Sequence, residues 1–372
     1  MVLDNSKREH EQKILRTLRE DVQRGDFKRT VKRDWTDLKE LMLDEQRKKR
    51  LSEMGAWRRW FVNVWWLFKS LFFKLTPARR ILLVVGLLLI IGSRAVSFSG
   101  DHFRFSSDTN GVGILLVLFV LGLELKDKLV AKEELEAGRA IQAALMCEPS
   151  PKVAGWDLWL YTRSANEVGG DLVDFIRIDE NRFGVALGDV SGKGLSAALL
   201  SVKLQATLRA IAPDIASLSA LGSKLNTVFC RECLPSVFAS LVYLECEETT
   251  GKVHLVNAGH IPPLLVKKEG VEILGKGGAA LGIMSSASFT EQAIDLGEND
   301  FLLIYSDGLS EAQNVLGEFF GESRLRDLLP KMSSGSARLI GERVVQEVDS
   351  FVGDAKVHDD LSIVVIRRTQ ES

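Results

Sequence analysis

The chain has 372 residues, of which 46% are hydrophobic and 26% are charged, and its formal net charge is -2. This composition favours one large domain of roughly 200–250 residues with an appendage over two equal domains. The near-neutral charge, without a basic face in the second half, excludes a general nucleic-acid-binding protein. Four cysteines are too few for a disulfide scaffold, and the single pair Cys230-x-x-Cys233 lacks the second pair or nearby His of a zinc site.

The N-terminal part changes character at Trp57. Residues 1–56 carry dense charges of both signs with apolar residues at partly helical spacing, which predicts a solvated helical segment without a signal peptide. Between 57 and 76, Trp and Phe recur at steps of three and four beside Arg and Lys. This pattern predicts an amphipathic helix in the membrane interface, although a helix packed on a protein core has the same spacing.

Two uncharged apolar runs follow, Ile81–Ser93 and Gly111–Leu123. Each would span about 20 Å as a helix, less than a hydrocarbon core of about 30 Å, but flanking polar and basic residues can extend it. We expect a two-span hairpin over 77–123 with a short loop between 94 and 110, in contact with lipid. Basic outer flanks place both termini and the downstream domain in the cytoplasm, at the inner membrane. Two buried helices of a soluble domain are the alternative.

A charged helix is expected to link this hairpin to the main domain, over 124–148. From Glu124 to Met146 an imperfect apolar stripe offers a weak homodimer seam, and an ordinary connecting helix fits the pattern as well. Pro149 and Pro151 end the helix and open a domain that we place at 149–368.

Beyond Pro151, short alternating runs predict strands separated by turns and two clusters of helices. The expected strands are Trp156–Tyr161, Phe175–Ile178, Phe183–Leu187, Ala239–Leu244, Val253–Asn257, Leu264–Lys267, Phe301–Ser306 and Leu361–Ile366. The expected helices are Leu195–Ile211, Ile215–Arg231, Glu322–Lys331 and Ser336–Phe351. Mostly hairpin-paired strands favour an α+β domain of antiparallel sheets flanked by helices over a doubly wound parallel sheet.

The stretch Gly188–Leu200 organises this domain. It combines the end of a buried strand, the carboxylate of Asp189, a glycine turn and the start of a helix, an arrangement that suits a hard cation or a phosphate. A P-loop is excluded, because Leu187 stands where its first glycine is needed and Gly194 where its Ser or Thr is needed.

Carboxylates stand at strand ends or beside glycines at four places: Asp171, Asp189, Asp307 and the pair Asp359-Asp360. Folding should bring these strand ends together, and converging carboxylates repel each other and are costly to desolvate unless they share a cation. Oxygen ligands without His or Cys indicate Mg²⁺ or Mn²⁺ rather than zinc. One Asp-Gly alone would be an ordinary turn, so the signal lies in the group.

Five ordered motifs carry a resemblance to a known family. They are EVGGDLVDF (167–175), GDVSGKG (188–194), VNAGHIPPLL (256–265), YSDGLSEAQN (305–314) and HDDLSIVVIR (358–367). Over about residues 135–368 the chain resembles the metal-dependent PPM-type serine/threonine phosphatases, in the bacterial stage-II-sporulation-protein-E branch. The resemblance implies two antiparallel sheets between helices, with two Mn²⁺ or Mg²⁺ ions at the sheet edges.

The resemblance also implies roles for single residues. Asp189 would bridge the two ions, with the Val190 carbonyl near one of them and Asp171 on one metal. The ligands of the other metal would be Asp307 and Asp359, or Asp360 in place of Asp359. Residues implied to shape the turns and the phosphate site are Gly170, Gly188, Ser191, Gly192, Gly194, Asn257, His260 and Gly308. A water activated by the two metals would attack phosphorus directly.

Two histidines and one lysine complete the set of site residues. His358, beside Asp359, is a candidate for protonating the leaving group, whereas His260 is expected to stabilise a turn. Lys193 departs from the family pattern, since many relatives have His there.

These observations predict a membrane-anchored phosphoprotein phosphatase acting on phosphoserine or phosphothreonine. The resemblance implies an anti-sigma-factor antagonist in a partner-switching pathway as a possible substrate. The alternatives are a catalytically silent scaffold with the same fold and an enzyme that hydrolyses small phosphate esters.

Overall fold

A computed structural model describes residues 55–92, 97–100, 103–106, 109–233, 237–332 and 335–369. The charged helical segment expected at the N-terminus falls almost wholly on residues 1–54 and so lies outside the described residues. The chain divides into two compact units between Lys128 and Leu129.

Within its described residues, the first unit contains two helices, a small β-hairpin and the first part of a third helix, which continues into the second unit. Their bounds are α1 Ala56–Lys74, α2 Pro77–Ile91, β1 Ser97–Gly100, β2 Phe103–Ser106 and α3 Thr109–Leu145. Pro77 occupies the first turn of α2, where its missing N–H costs no hydrogen bond. The expected loop between 94 and 110 therefore contains an antiparallel hairpin, and the second apolar run forms one continuous helix with the expected linker.

Helices α2 and α3 cross closely at two glycines. A Cβ on Gly113 would lie 2.7 Å from the Gly86 carbonyl oxygen, and one on Gly86 would lie 3.1 Å from the Gly113 carbonyl oxygen. In the first turn of α2, Arg79 donates to both Glu124 and Asp127 of α3 at 2.6 Å. Glycine is thus required for the helices to approach this closely.

Large apolar side chains on both helices are exposed, among them Ile81, Leu88, Leu115 and Phe119. Within the described ranges, residues 195–214 form a helical stretch that is long and apolar enough to span a membrane. This stretch belongs to the second unit and is partly buried there.

The second unit is built on two five-stranded antiparallel sheets. The first has the order β10-β7-β6-β5-β4 and the second β3-β12-β11-β8-β9. The strands of the first sheet are β4 Asp171–Arg177, β5 Arg182–Val190, β6 Ala239–Glu247, β7 Lys252–Ala258 and β10 Glu291–Asp295. Those of the second are β3 Trp156–Arg163, β8 Leu264–Lys267, β9 Gly270–Ile273, β11 Phe301–Tyr305 and β12 Leu361–Arg368.

Helices cover the outer faces of the two sheets. They are α4 Leu195–Ile211, α5 Leu218–Glu232, α6 Asp307–Ser310, α7 Glu322–Leu328 and α8 Ala337–Val352. Ser217 and Ser336 cap the N-termini of α5 and α8. Each side chain accepts a hydrogen bond from a backbone N–H, and each helix begins at the next residue.

Three apolar layers hold the sandwich together. The central layer lies between the sheets, with Val185 and Leu187 of β5 facing Val364 and Ile366 of β12 in one buried cluster. A second cluster packs α4 and α5 on the first sheet, and a third packs α7 and α8 on the second. The expected α+β fold of two antiparallel sheets flanked by helices is confirmed for this unit.

Candidate active site

Each sheet brings two of the predicted aspartates to the site. Asp171 begins β4 and lies opposite Asp189, the penultimate residue of β5, in the antiparallel register. Asp307 begins α6 just after β11, and Asp359 lies two residues before β12, the strand that pairs with β11. The strand pairing therefore gathers the carboxylates that the sequence motifs place far apart.

Asp171 is the most buried of these four aspartates. Its side chain is 5% exposed, and its Oδ2 accepts no hydrogen bond from the described residues. Burial raises the pKa of Asp171 well above its ordinary value, and the charges of Asp189 and Asp360 raise it further. A buried carboxylate oxygen without a donor is costly, which a bound cation would relieve.

Asp189 and Asp307 are both partly buried beside other aspartates, which raises the pKa of each. Burial raises the pKa of Asp189 to about 6, and the charges of Asp307 and Asp359 add to the shift. Burial also raises the pKa of Asp307, and there the charge of Asp359 is the largest contribution from a neighbouring group. In the described ranges no three His, Cys, Asp or Glu side chains already converge on one coordination point.

The two adjacent aspartates of the last motif have different surroundings. Asp360 is buried, and its two oxygens accept the backbone N–H groups of Ala165 at 2.8 Å and Gly170 at 2.7 Å. Its carboxylate thus joins the start of β12 to the loop before Asp171. Asp359 is about half exposed and makes no such backbone brace from another strand. Asp359 is therefore better placed to bind a cation.

Lys193 is a residue of this site whose contacts the sequence did not reveal. Its Nζ lies 3.0 Å from Asp359 Oδ2 and 2.9 Å from the His358 carbonyl oxygen. The turn that presents it has φ values of 110° at Gly192 and 72° at Gly194, which favour glycine. A lysine thus neutralises part of the negative charge at the open edge of the site.

Ser191 and nearby glycines fix the turn after β5. Ser191 donates its N–H to the Phe238 carbonyl, and its Oγ accepts the Phe238 N–H, both at 2.9 Å. A Cβ on Gly170 would lie 3.1 Å from the Val190 carbonyl oxygen, so a small residue lets the loop pass close to that carbonyl. A Cβ on Gly188 would lie 2.8 Å from the Ser240 carbonyl oxygen.

His260 has the surroundings of a structural residue. Its Nε2 lies 3.2 Å from the Tyr305 carbonyl oxygen, so Nε2 donates and Nδ1 accepts from the Ser240 hydroxyl at 2.7 Å. Asn257 bonds both backbone groups of His260. Burial lowers the pKa of His260 to about 4, which keeps the ring neutral. In contrast, His358 is exposed beside Asp359.

The end of helix α3 reaches the same loop through Gln142. The buried Gln142 donates to the Gly169 carbonyl at 2.8 Å and accepts the Gly169 N–H at 3.3 Å. Gly169 precedes the glycine that bonds to Asp360. The family resemblance includes this helix, but a single Gln on a charged helix is unremarkable in pattern, so the contact itself could not be predicted.

Comparison with known proteins agrees with this architecture. Residues 179–369, just over half of the chain, match the family described as Stage II sporulation protein E (SpoIIE). The solved SiaA-PP2C domain of Pseudomonas aeruginosa superposes with a TM-score of 0.57 at 17% identity, over 65% of this chain and 98% of that domain. The two chains therefore share a fold.

Two curated relatives are similar over parts of their length. Protein IcfG of Synechocystis sp. is 24% identical over 277 residues, which are 67% of this chain and 43% of IcfG. Phosphoserine phosphatase RsbP of Bacillus subtilis is 28% identical over 191 residues, or 50% of this chain and 47% of RsbP. The matched regions are thus a little under half of each relative. Since the family match spans more than half of the chain and includes Asp189, Asp307 and Asp359, this protein belongs to the SpoIIE family.

Proposed function

We propose that this protein is a metal-dependent phosphoprotein phosphatase that hydrolyses phosphoserine or phosphothreonine. The observation that carries the proposal is the buried, donor-free Oδ2 of Asp171 beside three further aspartates at one end of two sheets. The similarity to RsbP, a phosphoserine phosphatase, supports the same reaction.

The donor set fits two Mg²⁺ or Mn²⁺ ions, because every candidate ligand is an oxygen. Asp171, Asp189, Asp307 and Asp359 would hold them, with the Val190 carbonyl as a further donor. Bound there, the ions would supply a water of lowered pKa and charge stabilisation at phosphorus. Asp360 would hold the loop around Gly170 in place, and His358 is our candidate for protonating the leaving serine or threonine oxygen.

The substrate that we infer is a phosphorylated protein, and the resemblance to the family points to an anti-sigma-factor antagonist in a partner-switching pathway. Purified full-length protein should release phosphate from a phosphoserine protein with Mn²⁺ and lose this activity with excess chelator. Phosphate release that persists in chelator would contradict the metal-dependent mechanism. Absence of release with either metal would favour a silent scaffold.

We further propose that the first unit anchors the protein in the inner membrane, with both termini and the phosphatase domain in the cytoplasm. Exposed apolar side chains on α2 and α3 and their close glycine crossing support a lipid-facing helical hairpin. We also propose that two copies pair through the part of α3 beyond Glu124, since Leu125, Leu129 and Ile141 are exposed on it.

A further inference from the structure

Two aspartates of the site and a serine form a row across the first sheet. Val185 and Leu187 of β5 lie in the layer between the sheets, so the alternation of the strand places Asp189 on the same inner face. Directly opposite residues of an antiparallel pair share a face, and Asp189 lies opposite Asp171 on β4 and Ser240 on β6. The inner face at this end of β6 therefore belongs to the candidate active site.

Phe238 extends this row by one step. It lies two residues before Ser240, so the alternation of β6 gives it the same face. Its backbone is held against the turn after Asp189, because the Ser191 N–H donates to its carbonyl and the Ser191 Oγ accepts its N–H. Diagonal neighbours on one face of an antiparallel pair lie about 7–8 Å apart. Phe238, which is 42% exposed, therefore stands one such step from Asp189 at the rim of the site.

Two further apolar residues continue this surface. Ala239 and Leu281 are bridged by backbone hydrogen bonds of 2.9 and 2.8 Å, which bring the segment after Leu281 beside Phe238. In that segment Ile283 is 56% exposed and Met284 is 51% exposed. Phe238, Ile283 and Met284 together form an apolar lip beside the carboxylates.

A buried side chain fixes the backbone of the apolar lip. Asn226 of α5 is 1% exposed, and its amide donates to the Met284 carbonyl while its Oδ1 accepts the Gly282 N–H, both at 2.9 Å. The stretches that carry the lip, 237–241 and 279–289, contain no charged residue. Adjacent exposed apolar residues on an ordered backbone are typical of an interaction surface.

We propose that the apolar lip binds the phosphoprotein substrate beside its phosphorylated residue, and that Phe238 gives the site a preference for apolar residues next to the phosphoserine. This inference rests on the proposed phosphatase function. A protein–protein interface of standard size covers roughly 800 Å² of each partner, a patch that reaches about 16 Å from its centre. A protein docked with its phosphate beside Asp189 therefore covers Phe238, whereas a small phosphate ester need not reach it.

The chemistry of the apolar lip determines which flanking residues it favours. A polar substrate side chain pressed against an uncharged apolar surface loses water without gaining a hydrogen-bond partner, which costs free energy. An aliphatic or aromatic side chain gains free energy there by leaving water. The contrast lies at Asp359, where the exposed ammonium group of Lys193 is at 3.0 Å. The lip therefore favours a phosphoserine with apolar neighbours.

The test uses full-length protein with Mn²⁺ and two phosphoserine peptides that differ only in having Leu or Asn on both sides of the phosphoserine. Leu and Asn have similar shapes, so the pair isolates polarity, and O-phosphoserine without flanking residues is the reference substrate. In Phe238→Ala we expect the ratio of kcat/KM for the Leu peptide to that for O-phosphoserine to fall roughly tenfold, as truncation of a central aromatic contact predicts. The fall should lie mainly in KM, because the lost contact is binding energy. The ratio for the Asn peptide should change little.

Three further variants serve as controls. Phe238→Leu keeps an apolar side chain and should recover most of the ratio, and Ile283→Asn should lower it from a second position of the apolar lip. Leu339 is 61% exposed on α8, which covers the other sheet, so Leu339→Ala should keep the wild-type ratio. An unchanged ratio in both Phe238→Ala and Ile283→Asn, or equal losses on the two peptides, would overturn the proposal. A changed oligomeric state of Phe238→Ala would also overturn it, by indicating that the lip pairs two copies.

Peptide binding separates failure of the apolar lip from failure of the proposed phosphatase function. If the wild type turns over none of the three substrates, the phosphatase function fails, and fluorescence anisotropy of the labelled peptides with Mn²⁺ tests the lip alone. Tighter binding of the Leu peptide by the wild type, lost in Phe238→Ala, would support the proposal. Equal binding of the two peptides by the wild type would refute it.

Discussion

Asp359 and Asp360 show how neighbouring residues of one type divide two tasks. Asp360 uses both oxygens to brace backbone N–H groups, while Asp359 faces Lys193 at the edge of the cluster. The sequence could not distinguish them, since both precede the same strand. The different hydrogen bonds of the two carboxylates favour Asp359 as the cation ligand of the proposed mechanism.

The ammonium group of Lys193 should compete with a metal for Asp359. We expect Lys193→Gln to bind Mn²⁺ about two- to fivefold more tightly, because an exposed ion pair contributes about 0.2–1 kcal/mol. Calorimetric titration of metal into the protein measures this directly. Lys203→Gln is the control. Lys203 lies on α4, the helix that follows the site turn, and pairs with Glu232 at 3.0 Å away from the aspartates. Weaker Mn²⁺ binding by Lys193→Gln would mean that the lysine assists the metal.

His260 should contribute to the pH dependence of stability. Its pKa is lowered to about 4 in the folded protein, whereas an unfolded His titrates near 6.5. The stability that its neutral form contributes is therefore present above about pH 6.5 and is lost as the pH falls towards 4. In His260→Asn, chemical unfolding from pH 7 to pH 4.5 should show a smaller loss of free energy than in the wild type. An unchanged slope would show that the buried ring does not control this transition.

At the scale of elements, the sequence predicted those with strong periodicity or clear end signals. The helix Leu195–Ile211 and the strand Leu264–Lys267 have the expected bounds, since a glycine turn or proline adjoins each. Strands β9 and β10 were not predicted, because each is a short, partly exposed run without a clear alternation of apolar and polar residues. They lie at sheet edges, where pairing with one neighbour stabilises sequences of weak propensity.

The packing of α6 against the residues just before β12 leaves no space at Gly308. A Cβ there would lie 2.0 Å from the Asp360 carbonyl oxygen, so Gly308→Ala must displace one of the two segments that carry Asp307 and Asp359. We expect a loss of about 1–3 kcal/mol in the free energy of unfolding, together with weaker Mn²⁺ binding. Gly275→Ala, whose added Cβ meets only ordinary contacts, is the matched control. Unchanged metal binding by Gly308→Ala would separate this turn from the site.

Helix α3 is a candidate for transmitting a signal to the site. It runs without interruption over Thr109–Leu145, and Gln142 near its end holds Gly169 by two hydrogen bonds. We expect a short Gly/Ser insertion after Lys132 to change the turnover of the full-length protein, because a flexible segment dissipates rotation of the helix. Equal turnover and oligomeric state with and without the insertion would show that the helix is only a tether.

The motifs predicted which residues of the whole chain form the site, which local periodicity alone could not do. Carboxylates separated by up to 189 positions, from Asp171 to Asp360, could be grouped because each adjoins a strand end or a glycine turn. Their individual surroundings, such as the donor-free oxygen of Asp171, depend on the packing of two sheets and could not be read from spacing alone.

The proposed membrane anchor can be tested separately from the proposed hydrolysis. Residues 57–123 should keep the protein in the membrane fraction after carbonate washing, and protease should reach residues 94–110 only from the side opposite the phosphatase domain. Extraction by carbonate, or cleavage of that segment from the cytoplasmic side, would contradict a spanning hairpin.

The most direct measurement of the central claim is phosphate release from a phosphoserine protein by the wild type and by Asp189→Asn, each with Mn²⁺ and with excess chelator. The proposed mechanism predicts release by the wild type with Mn²⁺ alone and a loss of more than about 10²-fold in Asp189→Asn, as expected for removing a main electrostatic group. Turnover by Asp189→Asn at the wild-type rate, or by the wild type in chelator, would contradict it.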